Sequence, residues 1–495
     1  MQQEQSMGRS AWITLGIMSG MGLVTLFGET IVSPALPKLV DEFQISLETS
    51  LWILSAFLIS GAVMTPISGK LSDSYGKKRV LLVVIGIYCV GVVAASTATN
   101  VIWMVAARVL MGVGFSAFPV AFGIIRETLP MSKLGIGQTV FGSTFSGGAV
   151  LGLALGGGII HAFGWRIAFL SVFPIALLLL ILIVLFVKES KVTQSPEGQM
   201  HQGHQRTTLD LKGVVLLATA VVSFLVGISL VQNSVSDPSA YTQIAGLLTL
   251  AAISLVLLVV VERRSKFPLV DFKLLSGRTT LAATVILMFV GTCTFIVYQT
   301  MAFLVQSPTP LGFGGDELTT AIILLPFMVV LFIGTIGSGF ILNRLGNIRM
   351  TAIGTSLATV GFFGLLFYHA NGLEVMLMLA TISAGLSFAF TGGFNVVLVT
   401  SPTESTGTVL GMVLLLNLVF QSIGPAVSAT FQQLYQGSVP GDPKTYPAPE
   451  AYYLIFLTAA ALSLVSALLS IWLSRRKLPS SMMPGQGQQQ APPSP

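Results

Sequence analysis

Apolar runs of membrane-spanning length recur fourteen times along this chain, at about 12–33, 50–69, 80–98, 101–125, 137–160, 167–187, 213–232, 241–261, 281–305, 319–341, 350–369, 374–398, 407–430 and 452–473. A helix needs about 20 apolar residues, at ~1.5 Å of rise each, to cross the hydrocarbon core of a bilayer. The runs lack the alternation of barrel strands and are roughly twice their length, so helices are the spanning structure that fits. With 53% hydrophobic and 9% charged residues, the chain has too few charges to coat a water-facing surface. The fold class that follows is an all-α polytopic membrane protein with 14 transmembrane helices. The first run exceeds the ~7–15 apolar residues of a signal-peptide core, so it reads as a retained span.

The few charges are unevenly placed. An even number of spans puts both termini on one side, and with that side cytoplasmic 21 of the 25 Lys and Arg lie inside. Lys38, Arg166 and Lys444 fall outside, and Arg108 lies within a span. This is the bias that orients polytopic proteins, and dropping a single helix from the count would scramble it. The net charge of +6 sits in short clusters between apolar runs, which suits an anionic membrane surface and argues against nucleic acid. Cys89 and Cys293 fall inside apolar runs as small hydrophobes, so neither a disulfide nor a metal site is expected from them. His201 and His204 lie in a polar connection and read as solvated.

One basic cluster has an internal copy. Gly69-Lys70-Leu71-Ser72-Asp73-Ser74-Tyr75-Gly76-Lys77-Lys78-Arg79 is matched by Gly339-Phe340-Ile341-Leu342-Asn343-Arg344-Leu345-Gly346-Asn347-Ile348-Arg349. Glycines at the first and eighth positions predict a tight turn between helices, the acid at the fifth can cap a helix start, and the basic end can face headgroups. The repeat points to two related halves. The expected organisation is a cytoplasmic N-terminus (1–11), an N-terminal six-helix bundle (12–187), a cytoplasmic loop (188–212), two inserted helices (213–261), a C-terminal six-helix bundle (281–473) and a cytoplasmic tail (474–495). From Pro479 the tail is rich in Pro, Gln and Ser and is expected to be disordered.

Glu29 and Arg108 are the acid and base placed well inside spans of the N-terminal half. Each lies some five or six residues from the outer end of its run, so both sit at a similar depth and could meet. A charge at mid-bilayer costs at least ~2.5–3.5 kcal/mol, which makes both functional candidates. The alternatives are a hydrated carboxyl near the outer interface for Glu29, and a structural pair or a bond to a backbone carbonyl for Arg108. Gly148, Gly152 and Gly156 repeat every four residues on one helix face, with Gly157 beside them, and let another helix approach closely. No Gly-x-x-x-x-Gly-Lys-Ser/Thr motif occurs, which argues against ATP as an energy source. No cluster of acids, histidines or nucleophiles occurs within the spans, so an enzyme is not expected.

Four motifs in order carry a family resemblance. The stretch Gly69–Arg79 resembles the cytoplasmic signature of the major facilitator superfamily. Ala107-Arg108-Val109-Leu110-Met111-Gly112-Val113-Gly114 is similar to its fourth-helix signature, and Gly148-Ala149-Val150-Leu151-Gly152-Leu153-Ala154-Leu155-Gly156-Gly157 to the fifth-helix motif of antiporters. Trp165-Arg166-Ile167-Ala168-Phe169-Leu170 followed by Pro174 resembles the loop and sixth-helix start of the fourteen-span drug:proton antiporters. The chain departs from the pattern in two places. Leu153 stands where the antiporter motif usually has Pro, and Glu29 is displaced by one residue from the acid position of the first-helix motif.

The resemblance implies a major facilitator fold and a secondary transporter working by alternating access. Its substrates would be amphipathic or cationic compounds, exported in exchange for protons across a prokaryotic inner membrane. The implied partners are a small-molecule substrate, protons and the lipid bilayer, with no nucleic acid, no cofactor and a monomeric chain. Proton coupling is expected at Glu29 with Arg108. A cytoplasmic gate is expected at Gly69, Asp73, Gly76, Arg79 and Arg126, with Asp73 and Arg126 forming its latch; helix capping is the alternative for Asp73. Substrate-cavity candidates are Phe115, Phe118, Phe141, Phe145, Tyr298, Gln299, Asn395, Asn417 and Gln421, for which helix packing is the alternative. A metabolite symporter or uniporter, or a non-transporting membrane receptor on the same fold, remains open from sequence.

Overall fold

Lipid offers no partner to a backbone N–H or C=O, so each apolar run satisfies its own polar groups as a helix. The computed structural model describes residues 8–129, 134–188, 211–230, 240–264, 277–369, 371–400, 406–441 and 443–475. The elements are α1 (Arg9–Thr30), α2 (Val32–Phe43), α3 (Leu47–Tyr75), α4 (Lys77–Ser96), α5 (Val101–Val113), α6 (Ala117–Thr128), α7 (Leu134–Phe163) and α8 (Trp165–Phe186). They continue with α9 (Leu211–Ser229), α10 (Ala240–Arg264), α11 (Arg278–Gln306), α12 (Glu317–Leu345), α13 (Asn347–Phe367), α14 (Gly372–Thr400), α15 (Thr406–Leu434) and α16 (Pro449–Ser474). A short antiparallel hairpin, β1 (Gln436–Ser438) and β2 (Thr445–Pro447), joins α15 to α16.

Two spans are interrupted. Helices α1 and α2 form one span broken at Ile31, where Pro34 removes the N–H that would reach back to Thr30. A 3-10 turn at Gly114–Ser116 divides the span made by α5 and α6. Among the described residues, 13 helical stretches are long and apolar enough to cross a membrane, and a shorter apolar helix runs over Lys212–Ile228 within α9.

The basic stretch at 69–79 is less open than its sequence suggests. Helix α3 continues through Tyr75, so Gly69 lies inside the helix with open space at its Cβ position and makes no turn. The reversal rests on Gly76 alone, at φ +96°, and on Gly346 at φ +78° in the repeat, values that favour glycine. Asp73 is likewise inside α3 and does not start α4, whose N-cap is Gly76.

In the first half, α1 packs on α7 and α4 packs on α5 and α8. In the second, α13 lies between α14 and α16, while α11 touches α14, α15 and α16. The halves meet through α3 against α15 and α7 against α12, and α9, paired with α10, rests on α3 and α15. Leu178 and Leu185 on α8 and Val256 on α10 are exposed on the outside, a surface suited to lipid. The end of the bundle from which α1 starts and at which α16 stops is called the terminal face below, and the opposite end the far face.

Candidate functional site

The break in the first span organises a buried polar centre. The last turn of a helix presents carbonyls without intrahelical partners, and a cation there is favoured by the helix dipole. Arg108 of α5, fully buried, supplies that cation. Its Nη1 donates to the carbonyl of Gly28 at 2.8 Å, its Nη2 to that of Glu29 at 3.3 Å, and its Nε to that of Ile53 at 2.9 Å. The guanidinium carbon lies 4.7 Å from the centre of the Phe57 ring, a cation–π contact. Arg108 therefore meets Glu29 through the backbone, with hydrogen bonds to carbonyls of α1 and α3.

The Glu29 side chain is left in a different condition. The residue is 3% exposed, and among the described residues no hydrogen bond or ion pair reaches its carboxyl. Its electrostatic neighbours are Arg108, Tyr88 and Tyr298. Tyr88 donates its hydroxyl to the carbonyl of Val24 at 2.9 Å, and Ser33 donates to the carbonyl of Tyr298 at 2.8 Å across the two halves. Neither Tyr88 nor Ser33 was marked by a motif.

The glycine face of α7 lies against the same span. A Cβ at Gly148 would sit 2.6 Å from the Leu23 carbonyl, one at Gly152 2.1 Å from Thr30 Oγ1, and one at Gly156 2.8 Å from Ile31 Cγ1. Gly157 faces the other half, where a Cβ would come within 2.5 Å of Ala321 Cβ on α12.

The expected cavity residues make several different kinds of contact. Phe115, Phe118 and Phe145 pack on one another, with ring centres 4.9 Å apart for Phe115–Phe118 and 4.2 Å for Phe118–Phe145. Phe118 and Phe141 are fully enclosed, while Phe145 reaches 6.2 Å from Phe390 of the second half. Asn417 donates to the Leu287 carbonyl at 2.7 Å and accepts from Gln421, which ties α15 to α11. Asn395 donates to Thr391 of its own helix at 2.8 Å. Tyr298 and Gln299 are buried, and among the described residues neither polar atom of the Gln299 amide has a hydrogen-bond partner. For most of these residues side-chain packing and inter-helix hydrogen bonds prevail, because a large aromatic or an amide is accommodated most readily where neighbouring helices enclose it.

On the terminal face, the Asp73 side chain lies outside the described residues, and the expected latch with Arg126 with it. Arg126 and Arg79 are exposed at helix ends. The described ion pair there joins Lys77 of α4 to Glu127 of α6. On the far face the halves are tied together. Lys38 pairs with Glu317 at 3.1 Å, Lys444 with Asp41 at 2.7 Å and His161 with Asp316 at 3.1 Å, and Gln306 donates to the Pro34 carbonyl at 3.3 Å. Arg166 meets Glu42 at 2.7 Å within the first half. The three cations that the charge count placed outside thus all have acid partners; their exceptional position was the signal that could have singled them out.

A two-half helical bundle with a broken first span and a buried carboxyl beside the break defines a polytopic helical membrane protein. The sequence profile described as Major Facilitator Superfamily matches residues 18–425, and the chain belongs to that superfamily. It is 28% identical over 421 residues to an uncharacterized MFS-type transporter of Mycobacterium tuberculosis, the match covering 83% of this chain and 58% of that protein. The chain therefore spans about 58% of the length of that curated relative. It is 25% identical over 387 residues to Multidrug resistance protein 3 of Bacillus subtilis, covering 76% of this chain and 71% of the relative. A lincomycin resistance protein of Streptomyces lincolnensis is 29% identical over 285 residues, with coverages of 57% and 55%. Among solved structures, the human organic anion transporter MFSD10 aligns with a TM-score of 0.63 at 16% identity, over 93% of this chain and 99% of that one. The partially occluded inward-open xylose transporter XylE from E. coli aligns with a TM-score of 0.60 at 15% identity, over 94% and 100%. These two likenesses speak to the fold.

Proposed function

We propose that the chain is a proton-coupled antiporter that exports amphipathic or cationic compounds by alternating access between its two halves. The observation that carries the reading is the Glu29 carboxyl, buried at the break of the first span without a hydrogen bond or ion pair among the described residues, while Arg108 is committed to backbone carbonyls. A carboxyl so placed can take up or release a proton as its access to water and to cations changes. Proton and cationic substrate then compete for one group. Relatives described as multidrug and lincomycin resistance proteins support the substrate class. The positive-inside bias supports a cytoplasmic terminal face in a prokaryotic inner membrane. With the far face tied by ion pairs, the arrangement corresponds to a carrier closed to the outside, and Asp73 with Arg126 serves as the latch of the opposite state.

The test is proton movement in proteoliposomes under an imposed pH gradient, with a panel of lipophilic cations and neutral drugs. Wild-type protein is expected to give substrate-triggered proton flux and Glu29→Gln to give none. Full flux in Glu29→Gln removes the coupling role. Folded protein that binds compounds but moves no protons overturns antiport.

A further inference from the structure

A second candidate site lies on the far face of the second half, where the chain leaves α13 and α15 and enters α16. His369, Tyr435, Pro449, Glu450, Tyr453 and Leu454 line a cleft of about 480 Å³. It is an open depression at the surface, so a ligand there keeps part of its surface in contact with solvent or lipid. The cleft shares no lining residue with the Glu29 site.

Its polar groups share one character. His369 Nδ1 lies 2.7 Å from the Leu365 carbonyl, and because a carbonyl only accepts, the ring proton is on Nδ1. In the neutral ring Nε2 is then an acceptor, and the ring is held edge-on to Phe456 with centres 5.9 Å apart. Glu450 adds a carboxylate in the first turn of α16, and among the described residues no cation pairs with it. Tyr435 and Tyr453, both about half exposed, add two aromatic faces that attract a cation. No Lys or Arg is among the lining residues, while Pro449 and Leu454 offer apolar wall.

We propose that this cleft binds a primary ammonium group carried on an apolar tail. The ammonium has three N–H donors for the Glu450 carboxylate and His369 Nε2, its charge lies over the tyrosine rings, and the first methylenes of the tail lie along Pro449 and Leu454. A trimethylammonium lacks those donors and is discriminated against. The group can arrive on a lipid headgroup of the outer leaflet or on a free amphipathic amine.

The test uses the full chain in nanodiscs, in a Glu29→Gln background so that the central carboxyl is silent. One arm measures dansylcadaverine binding by fluorescence against its trimethylammonium analogue. The other measures retention of phosphatidylethanolamine against phosphatidylcholine by native mass spectrometry. Glu450→Gln and Tyr453→Ala alter exposed side chains, and Glu374→Gln, at the start of α14 outside the cleft, is the control. Binding of the primary amine, in either arm, that falls at least about fivefold in the two cleft variants and not in the control supports the site, and the responding arm names the source. Equal binding by all variants in both arms, or no preference for the primary amine over its trimethylated counterpart, overturns it.

Discussion

Arg108 and Glu29 meet at one point in the fold but have separate work. The arginine holds the broken end of α1 to α5 and α3 through the carbonyls of Gly28, Glu29 and Ile53. A lysine keeps the charge but lacks the planar fork that serves three acceptors. Arg108→Lys is therefore expected to lower stability by on the order of 3 kcal/mol, read as a fall in melting temperature in detergent. Glu29→Gln is expected to leave that temperature near wild type, because no bond to the carboxyl is lost. Asp316 gives a pH-dependent contribution on the far face. The Thr319 hydroxyl at 2.7 Å and N–H at 2.8 Å hold its carboxyl below the ordinary value of 3.8. A lowered value means that the ionised form is favoured in the folded state. Its stabilisation is fully present above about pH 4, near the unfolded value, and is lost as pH falls through the lower folded one. Melting temperatures measured from pH 5 to pH 3 should fall less steeply in Asp316→Asn than in wild type.

Among the elements, α7 shows most directly how residue type sets spacing. Gly152 stands where a Cβ would lie 2.1 Å from Thr30 Oγ1, whereas Gly158, nearly two turns on, has open space. Gly152→Leu is expected to push α7 off the first span and cost about 1–3 kcal/mol or more, with a corresponding loss of folded yield. Gly158→Ala should leave both yield and melting temperature unchanged. The four-residue glycine spacing was legible in sequence; that its partner is the broken span bearing Glu29 was not. Spacing along one helix identifies a face and carries no information about the neighbour across from it.

At the scale of the whole molecule, the two halves are joined by polar contacts on the far face. Lys38–Glu317 and Asp41–Lys444 each join a residue of the first half to one of the second, and Ser33 donates to Tyr298 beneath them. Exposed pairs contribute modestly one by one, about 0.2–1 kcal/mol, yet a balance between two packings needs only a few such increments to move. With Ser33→Cys as a reporter, Lys38→Glu is expected to raise labelling by a membrane-impermeant maleimide several-fold. Combining Lys38→Glu with Glu317→Lys should bring it back toward the starting rate. Unchanged labelling in the single variant would remove these pairs from the closure of the far face.

Sequence by itself determined the class of molecule: apolar runs of spanning length leave the helix as the backbone's remedy in lipid, and the repeat at 69–79 and 339–349 marks two halves. It also placed Glu29 and Arg108 at one depth, since depth follows from position along a helix. Tertiary structure decided that Arg108 binds the backbone of Glu29, that Gly76 turns the chain while Gly69 stays helical, and that Phe118 and Phe141 are enclosed. It also decided which acids meet Lys38 and Lys444, at sequence separations of 279 and 403 residues. The division has a physical cause. Burial in lipid acts on each segment independently and is written into local composition, whereas a hydrogen bond or an ion pair depends on which helices become neighbours, and a segment's own composition does not specify that.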